Sequence, residues 1–160
     1  MSTTKTLDIT APPGSPVIEF RRFVRATPEL LFRVHTEPEH VRHWWGPRNL
    51  ELVVCEIDLR VGGAYRFVHR APDGSEYGFH GVYREIERPH RLSHTFVYEG
   101  APEHEAVDTS VFEAVEGGTM IHGTSVFVSV EARDFHLESG MEGGIRETYE
   151  RLDELVATLA

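Results

Sequence analysis

Ten histidines in a chain of 160 residues put acid–base and metal chemistry first among the chemistries this sequence could hold. Spacing decides the metal question. No His-Glu-x-x-His is present, and with Cys55 the only cysteine no thiolate zinc site can form. His40 and His43 share one face of a short helix, with Glu37 three residues before His40. A carboxylate-bridged centre needs a second such pair on a facing helix, and none is found. The expectation is a solvated polar face and no metal. The strands hold more. Alternation puts Tyr65, Phe67 and His69 on one face, and likewise His80, Val82 and Ile86, and Leu92, His94 and Phe96. With the more apolar set inward each time, His69, His80 and His94 converge from three successive strands. In the next strand Val107, Thr109 and Val111 compete with Asp108, Ser110 and Phe112 for the inner face. If the second set is inward, a His–Asp–Ser group is either polar cavity lining or a catalytic set, although no nucleophile elbow surrounds Ser110. Polar groups on a buried face must be satisfied by one another, by water or by a ligand. Cys55, beside Val53 and Val54, reads as a buried, inert thiol.

These residues need elements to position them. Residues 1–15 end in Ala-Pro-Pro-Gly-Ser and are followed by Pro16, which disfavours both helix and pairing, so a mobile arm is expected there. Val17–Arg25 reads as a strand. Thr27-Pro28-Glu29 is a helix start, with a cap, a proline at the first helical position and an acid at the positive end of the dipole. A second short helix spans Pro38–Trp45 and closes at Gly46-Pro47. Six strands follow: 50–59, 64–70, 76–87, 91–99, 106–115 and 119–129. Between them lie Gly62-Gly63, Asp73-Gly74, Pro89, Gly100-Ala101-Pro102 and Gly117-Gly118. Strands in immediate succession predict an antiparallel meander. The period then changes. Met141, Ile145, Thr148, Tyr149, Leu152, Leu155, Val156 and Leu159 form one apolar stripe, on a helix predicted from about Asp134 to Thr158. Its stripe can be buried against the concave face of the sheet. Gly140, Gly143 and Gly144 stand at its start, either as a ragged helix end or as space left between helix and sheet.

Composition narrows the classes of function. Sixteen Lys and Arg against 26 Asp and Glu give a net charge of −10, which repels phosphate backbones and anionic lipid. Nucleic-acid binding and membrane insertion are therefore not expected. No apolar run of bilayer-spanning length occurs, and residues 1–15 lack the apolar stretch of a secretory signal. With a single cysteine there is no disulfide framework. A cytoplasmic domain of one core, about residues 16–160, is the expectation.

The order of elements and its punctuation resemble the helix-grip fold of the START and birch-pollen-allergen superfamily. Within it the likeness is to the family of the activator of heat-shock protein 90 ATPase. The residues that carry it are Thr36-Glu37-Pro38-Glu39-His40-Val41-Arg42-His43-Trp44-Trp45-Gly46-Pro47 and Asp58-Leu59-Arg60-Val61-Gly62-Gly63-Ala64-Tyr65-Arg66-Phe67. Gly81-Val82-Tyr83-Arg84-Glu85-Ile86, Pro89-His90-Arg91-Leu92, Gly140-Met141-Glu142-Gly143-Gly144 and Tyr149-Glu150-Arg151-Leu152 complete it, colinear over residues 16–159. The resemblance implies an α+β fold with seven curved antiparallel strands around the long C-terminal helix and two short helices between the first and second strands. It also favours Phe112 inward, carrying Asp108 and Ser110 with it. Trp44 and Trp45 then wedge the short helices against the sheet, or one of them lines a cavity mouth.

What the resemblance implies about function is a cavity rather than a reaction. A small apolar or amphipathic molecule is the expected partner, with no cofactor. Its body would lie against Phe67, Val82, Phe96 and Met141, close to Gly144 and Ile145 of the helix and to the two indoles. An acidic head would meet His69, His80 or His94 and bind more tightly as pH falls toward 6. Two alternatives stay open: an enzyme of the cyclase or dehydratase kind using cavity His and Asp, and a chaperone-ATPase activator. The activator is weakened because the chain leaves no room for the extra N-terminal domain of such proteins. A homodimer is also expected, because Tyr77, Phe79 and Tyr83 would form an exposed strip if Val82 and Ile86 face inward.

Overall fold

Where β-branched and aromatic residues alternate along this chain, strands form, and glycine turns reverse them. The structure is a computed structural model and describes residues 7–159, the side chain of Met141 excepted. Its strands are β1 (Asp8–Thr10), β2 (Val17–Val24), β3 (Glu51–Ile57), β4 (Ala64–Arg70), β5 (Glu76–Glu87), β6 (Arg91–Tyr98), β7 (Ala106–Val115) and β8 (Gly118–Phe127). They make one sheet in the order β1-β2-β8-β7-β6-β5-β4-β3, every pair antiparallel. Its helices are α1 (Pro28–Thr36), α2 (Pro38–Val41), α3 (Val130–Glu138) and α4 (Met141–Leu159). Thr27 caps α1, its hydroxyl accepting from Leu30 N at 3.1 Å, and Ser129 caps α3 in the same way.

The helix stripe is buried as its period requires. Tyr149, Leu152 and Val156 of α4 join Leu31, Phe32, Val34, Trp44, Phe112 and Ile121 in one core between helices and sheet. Arg22 of β2 adds a two-pronged ion pair to Asp153 of α4, with nitrogen–oxygen distances of 3.2 and 2.7 Å. Its guanidinium side chain is only 4% exposed, so the pair is a strong orienting contact.

Four expectations are corrected. The sheet has eight strands rather than seven, because Asp8–Thr10 pairs with β2. The described part of the expected arm is therefore docked: Leu7 is buried, and Arg133 donates to the Pro12 carbonyl at 2.7 Å. Pro12-Pro13-Gly14-Ser15 serves as the turn between β1 and β2, closed by Ser15 N to Pro12 O. Residues 1–6 lie outside the described residues. Helix α2 ends at Val41 and gives way to turns through Trp45. The long C-terminal helix is two helices, since Gly140 takes φ +85° and breaks the path between α3 and α4. Finally, β5 faces the opposite way. Tyr83 pairs with His94 but Glu85 pairs with Ser93, so Arg84 is an extra residue in the ladder. That bulge puts Ile86 inward together with Tyr83, not with Val82. Phe79 and Tyr83 face the core side, and the exposed strip on which a dimer was expected does not exist.

Candidate functional site

A pocket of about 700 Å³ lies between the concave face of the sheet, the α2–β3 segment and α4. Its walls are aromatic. Trp45 lies at 4.8 Å from Phe67 and 5.2 Å from Phe79, ring centre to ring centre, and Phe79 stacks on Phe96 at 5.5 Å. Trp45 also stacks on His69 at 4.9 Å, while His69 Nε2–H donates to the Trp45 carbonyl at 3.0 Å. Burial pushes the imidazole below its ordinary value, and the bond to the Trp45 carbonyl acts in the other direction. The close approach requires Gly46 (φ +97°), where a Cβ would fall 2.3 Å from the His69 ring. Arg151 of α4 secures the same loop, donating to the carbonyls of Gly46 at 2.7 Å and His43 at 3.0 Å.

The polar groups gather at the inner end. His35, from α1, donates Nδ1–H to Leu31 O at 2.7 Å and sits 4.7 Å from Trp44 and 5.0 Å from Phe112. Burial pushes its imidazole down to about 4, so the ring is neutral at pH 7, and its buried Nε2 has no partner. Tyr65 donates its hydroxyl proton to Thr95 O at 2.6 Å. His94 Nδ1 lies 3.1 Å from that hydroxyl oxygen and 3.0 Å from Thr95 O, so it must be the protonated nitrogen. In the neutral ring Nε2 is then an acceptor. Asp108 is directly opposite His94 in the β6–β7 register. Burial raises its carboxyl above the ordinary value, while His94 and a hydrogen bond from Ser125 act in the other direction. The Tyr149 phenol is pushed well up by burial and stays protonated.

Trp44, Trp45, Phe67, His69, His94, Phe96, Asp108, Ser110, Gly144 and Ile145 all line the pocket. Both readings of the indoles hold, since Trp44 is buried and donates Nε1–H to Val34 O at 2.8 Å while also lining the wall. A Cβ at Gly144, on the pocket wall, would meet nothing within 4 Å, whereas Gly143 is exposed outside the pocket lining. His80 and Val82 are corrected. They are on the outer face, His80 against Glu99 Oε2 at 2.9 Å and Val82 41% exposed, because of the bulge in β5. The side chain of Met141 lies outside the described residues. Sequence reasoning missed His35, Phe79, Tyr83 and Tyr149 as lining. His35 had a signal: it stands four residues after Leu31 and three after Phe32, a polar side chain on the apolar face of α1. Away from the pocket, burial pushes the Cys55 thiol up to about 11, as suits an inert packing group.

Among the described residues no group of three or more His, Cys, Asp or Glu is placed to hold a metal ion. Among them, too, no helix is long and apolar enough to cross a membrane.

Comparison with known proteins gives the relationship. No functionally curated protein matches the chain at a significant level. A solved protein from Rhodobacter sphaeroides is similar, with 34% identity over 94% of this chain and 99% of its own, and a TM-score of 0.87. One from Arthrobacter aurescens shares 23% identity over 94% and 91% of the two chains at a TM-score of 0.85. An AHSA1-like protein from Aeromonas hydrophila shares 20% over 90% and 95% at 0.72. The last two speak for the fold alone. The family described as Activator of Hsp90 ATPase homolog 1-like protein matches residues 25–157, which takes in α1, the meander and nearly all of α4. The chain belongs to the Activator of Hsp90 ATPase homolog 1-like family, with the helix-grip architecture described above.

Proposed function

We propose that this chain is a small-molecule-binding domain that holds an apolar or amphipathic ligand between the concave sheet and α4. The observation that carries this reading is the pocket itself. Its volume of about 700 Å³ is in the range of small-molecule sites, and its walls are rich in aromatic side chains with polar groups among them. Open space at Gly144, where α4 would otherwise present a side chain, is in keeping with an occupant. Titration with N-phenyl-1-naphthylamine, a fluorescent apolar probe, tests it. The probe should bind in the micromolar range, and Gly144→Leu, which fills the space, should weaken it at least tenfold without loss of stability. No binding below about 1 mM would end this reading.

A second reading, acid–base chemistry of the cyclase or dehydratase kind, draws on one observation: His94 faces Asp108 in a buried setting that raises the carboxyl. Its test is a change in mass of a compound that co-purifies with the protein and is followed by native mass spectrometry, abolished in Asp108→Asn.

A further inference from the structure

The inner end of the pocket has a definite hydrogen-bonding sense. His94 commits Nδ1–H to oxygens of the protein, which places the lone pair of the singly protonated tautomer on Nε2. Asp108, its register partner, brings a carboxyl that receives a hydrogen bond from Ser125. Behind them His35 has likewise committed Nδ1–H, to Leu31 O, and its buried Nε2 is an acceptor without a partner. Three elements, α1, β6 and β7, thus turn acceptors toward one region.

The charges facing that region agree. Among the described residues no Arg lines the pocket. Burial keeps His35 neutral, Tyr65 and Tyr83 are held as phenols, and Tyr149 is the donor that α4 contributes. Arg22 of β2, whose charge reaches Tyr149, is engaged by Asp153 and the Phe23 carbonyl. An anionic head would meet the Asp108 carboxyl and the unpartnered His35 Nε2, with no arginine among the described lining residues to offset them. A donating head would satisfy groups that are costly to leave unmatched when water is displaced.

We propose that the ligand of this pocket carries a hydrogen-bond-donating head, a hydroxyl or an amine on an apolar body, which bonds the His94–Asp108 acceptors, and that carboxylate-headed compounds are rejected. The inference rests on the pocket being a ligand site and reverses the acidic head expected from three imidazoles placed inward by strand alternation. Of those three, His80 is outside the pocket and His69 has its Nε2–H bonded to Trp45 O.

The test uses four compounds of one body, titrated at pH 7.5 by the fluorescence of Trp44 and Trp45: 2-naphthalenemethanol, 2-naphthylmethylamine, 2-(methoxymethyl)naphthalene and 2-naphthoate. The alcohol and the amine should bind about tenfold more tightly than the ether and the carboxylate. In Asp108→Leu and in His94→Phe that preference should shrink to about twofold or less, with far-ultraviolet circular dichroism and an unshifted urea midpoint showing that each variant is folded. Equal affinity for all four compounds, or tightest binding of 2-naphthoate, overturns the donor-head inference and leaves the pocket reading in place. Binding of N-phenyl-1-naphthylamine with none of the four does the same. Failure of every compound, that probe included, overturns both.

Discussion

Two histidine–carboxylate pairs lie on opposite faces of the same part of the sheet. On the outer face His80 meets Glu99 at 2.9 Å, and Arg66 grips the same carboxylate with bonds of 2.9 and 2.8 Å. On the inner face His94 stands opposite Asp108. The outer carboxyl is pushed down to about 2, chiefly by the Arg66 hydrogen bond, and the inner one is raised by burial. The two carboxyls thus respond in opposite directions. Water and a guanidinium favour the charged form outside, and aromatic walls disfavour it inside. Which face a residue takes, a matter of parity along a strand, decides its chemistry.

The most drastic way to break this comparison is to truncate neighbours of opposite parity in β5. Tyr83 is 3% exposed and Val82 41% exposed. Tyr83→Ala should cost about 3–5 kcal/mol and Val82→Ala under about 0.5 kcal/mol, read from urea denaturation midpoints. Equal costs would mean that the bulge has been misplaced.

The inner face should also sense pH. The folded His35 value is about 4 against an ordinary 6.5, so the unfolded chain binds a proton that the folded chain refuses. The associated stability is present above pH 6.5 and is lost as pH falls from there toward 4. Between pH 7 and 4.5 it should amount to roughly 2 kcal/mol, and His35→Phe should flatten that part of the profile. His69 and His136, also lowered by burial, leave a residual slope. A profile unchanged in His35→Phe would show that the ring is more hydrated than its surroundings indicate.

The outer face should give the smallest effect. Arg66 and His80 are each 48% exposed, so Glu99→Gln should cost about 0.5–1 kcal/mol at low salt and nearly nothing in 1 M NaCl. Because the folded carboxyl is depressed, its contribution is present above pH 4.5 and disappears as pH falls through about 2. A loss as large as that of Tyr83→Ala would contradict an exposed pair.

Much of the fold was legible because its signals are local. Thr27-Pro28, the glycine turns and the three-and-four period of α4 each act within a few residues, and the elements formed where those signals stand. The wall was legible where parity was undisturbed, in β4, β6 and β7, so Phe67, His69, His94, Phe96, Asp108 and Ser110 all reach the pocket. It was not legible in β5. There Val82 and Ile86, both apolar and four apart, gave a consistent pattern for the wrong face, because one extra residue at Arg84 reversed the parity between them.

By itself, then, the sequence determined the kinds of element, their order, the antiparallel meander and the apolar stripe that α4 buries, all consequences of backbone preference and side-chain period. The tertiary structure alone decided the rest. It docked Asp8–Thr10 on the edge of β2 left open once β8 had paired with the other edge, and it bent the C-terminal segment at Gly140 into two helices. It also turned a count of ten histidines into three different placements: His80 hydrogen-bonded to Glu99 at the surface, His69 closed against Trp45, and His35 and His94 on the pocket wall. Their chemistry depends on which protein atoms reach each nitrogen and how much water is left around it, and both are properties of the packed chain.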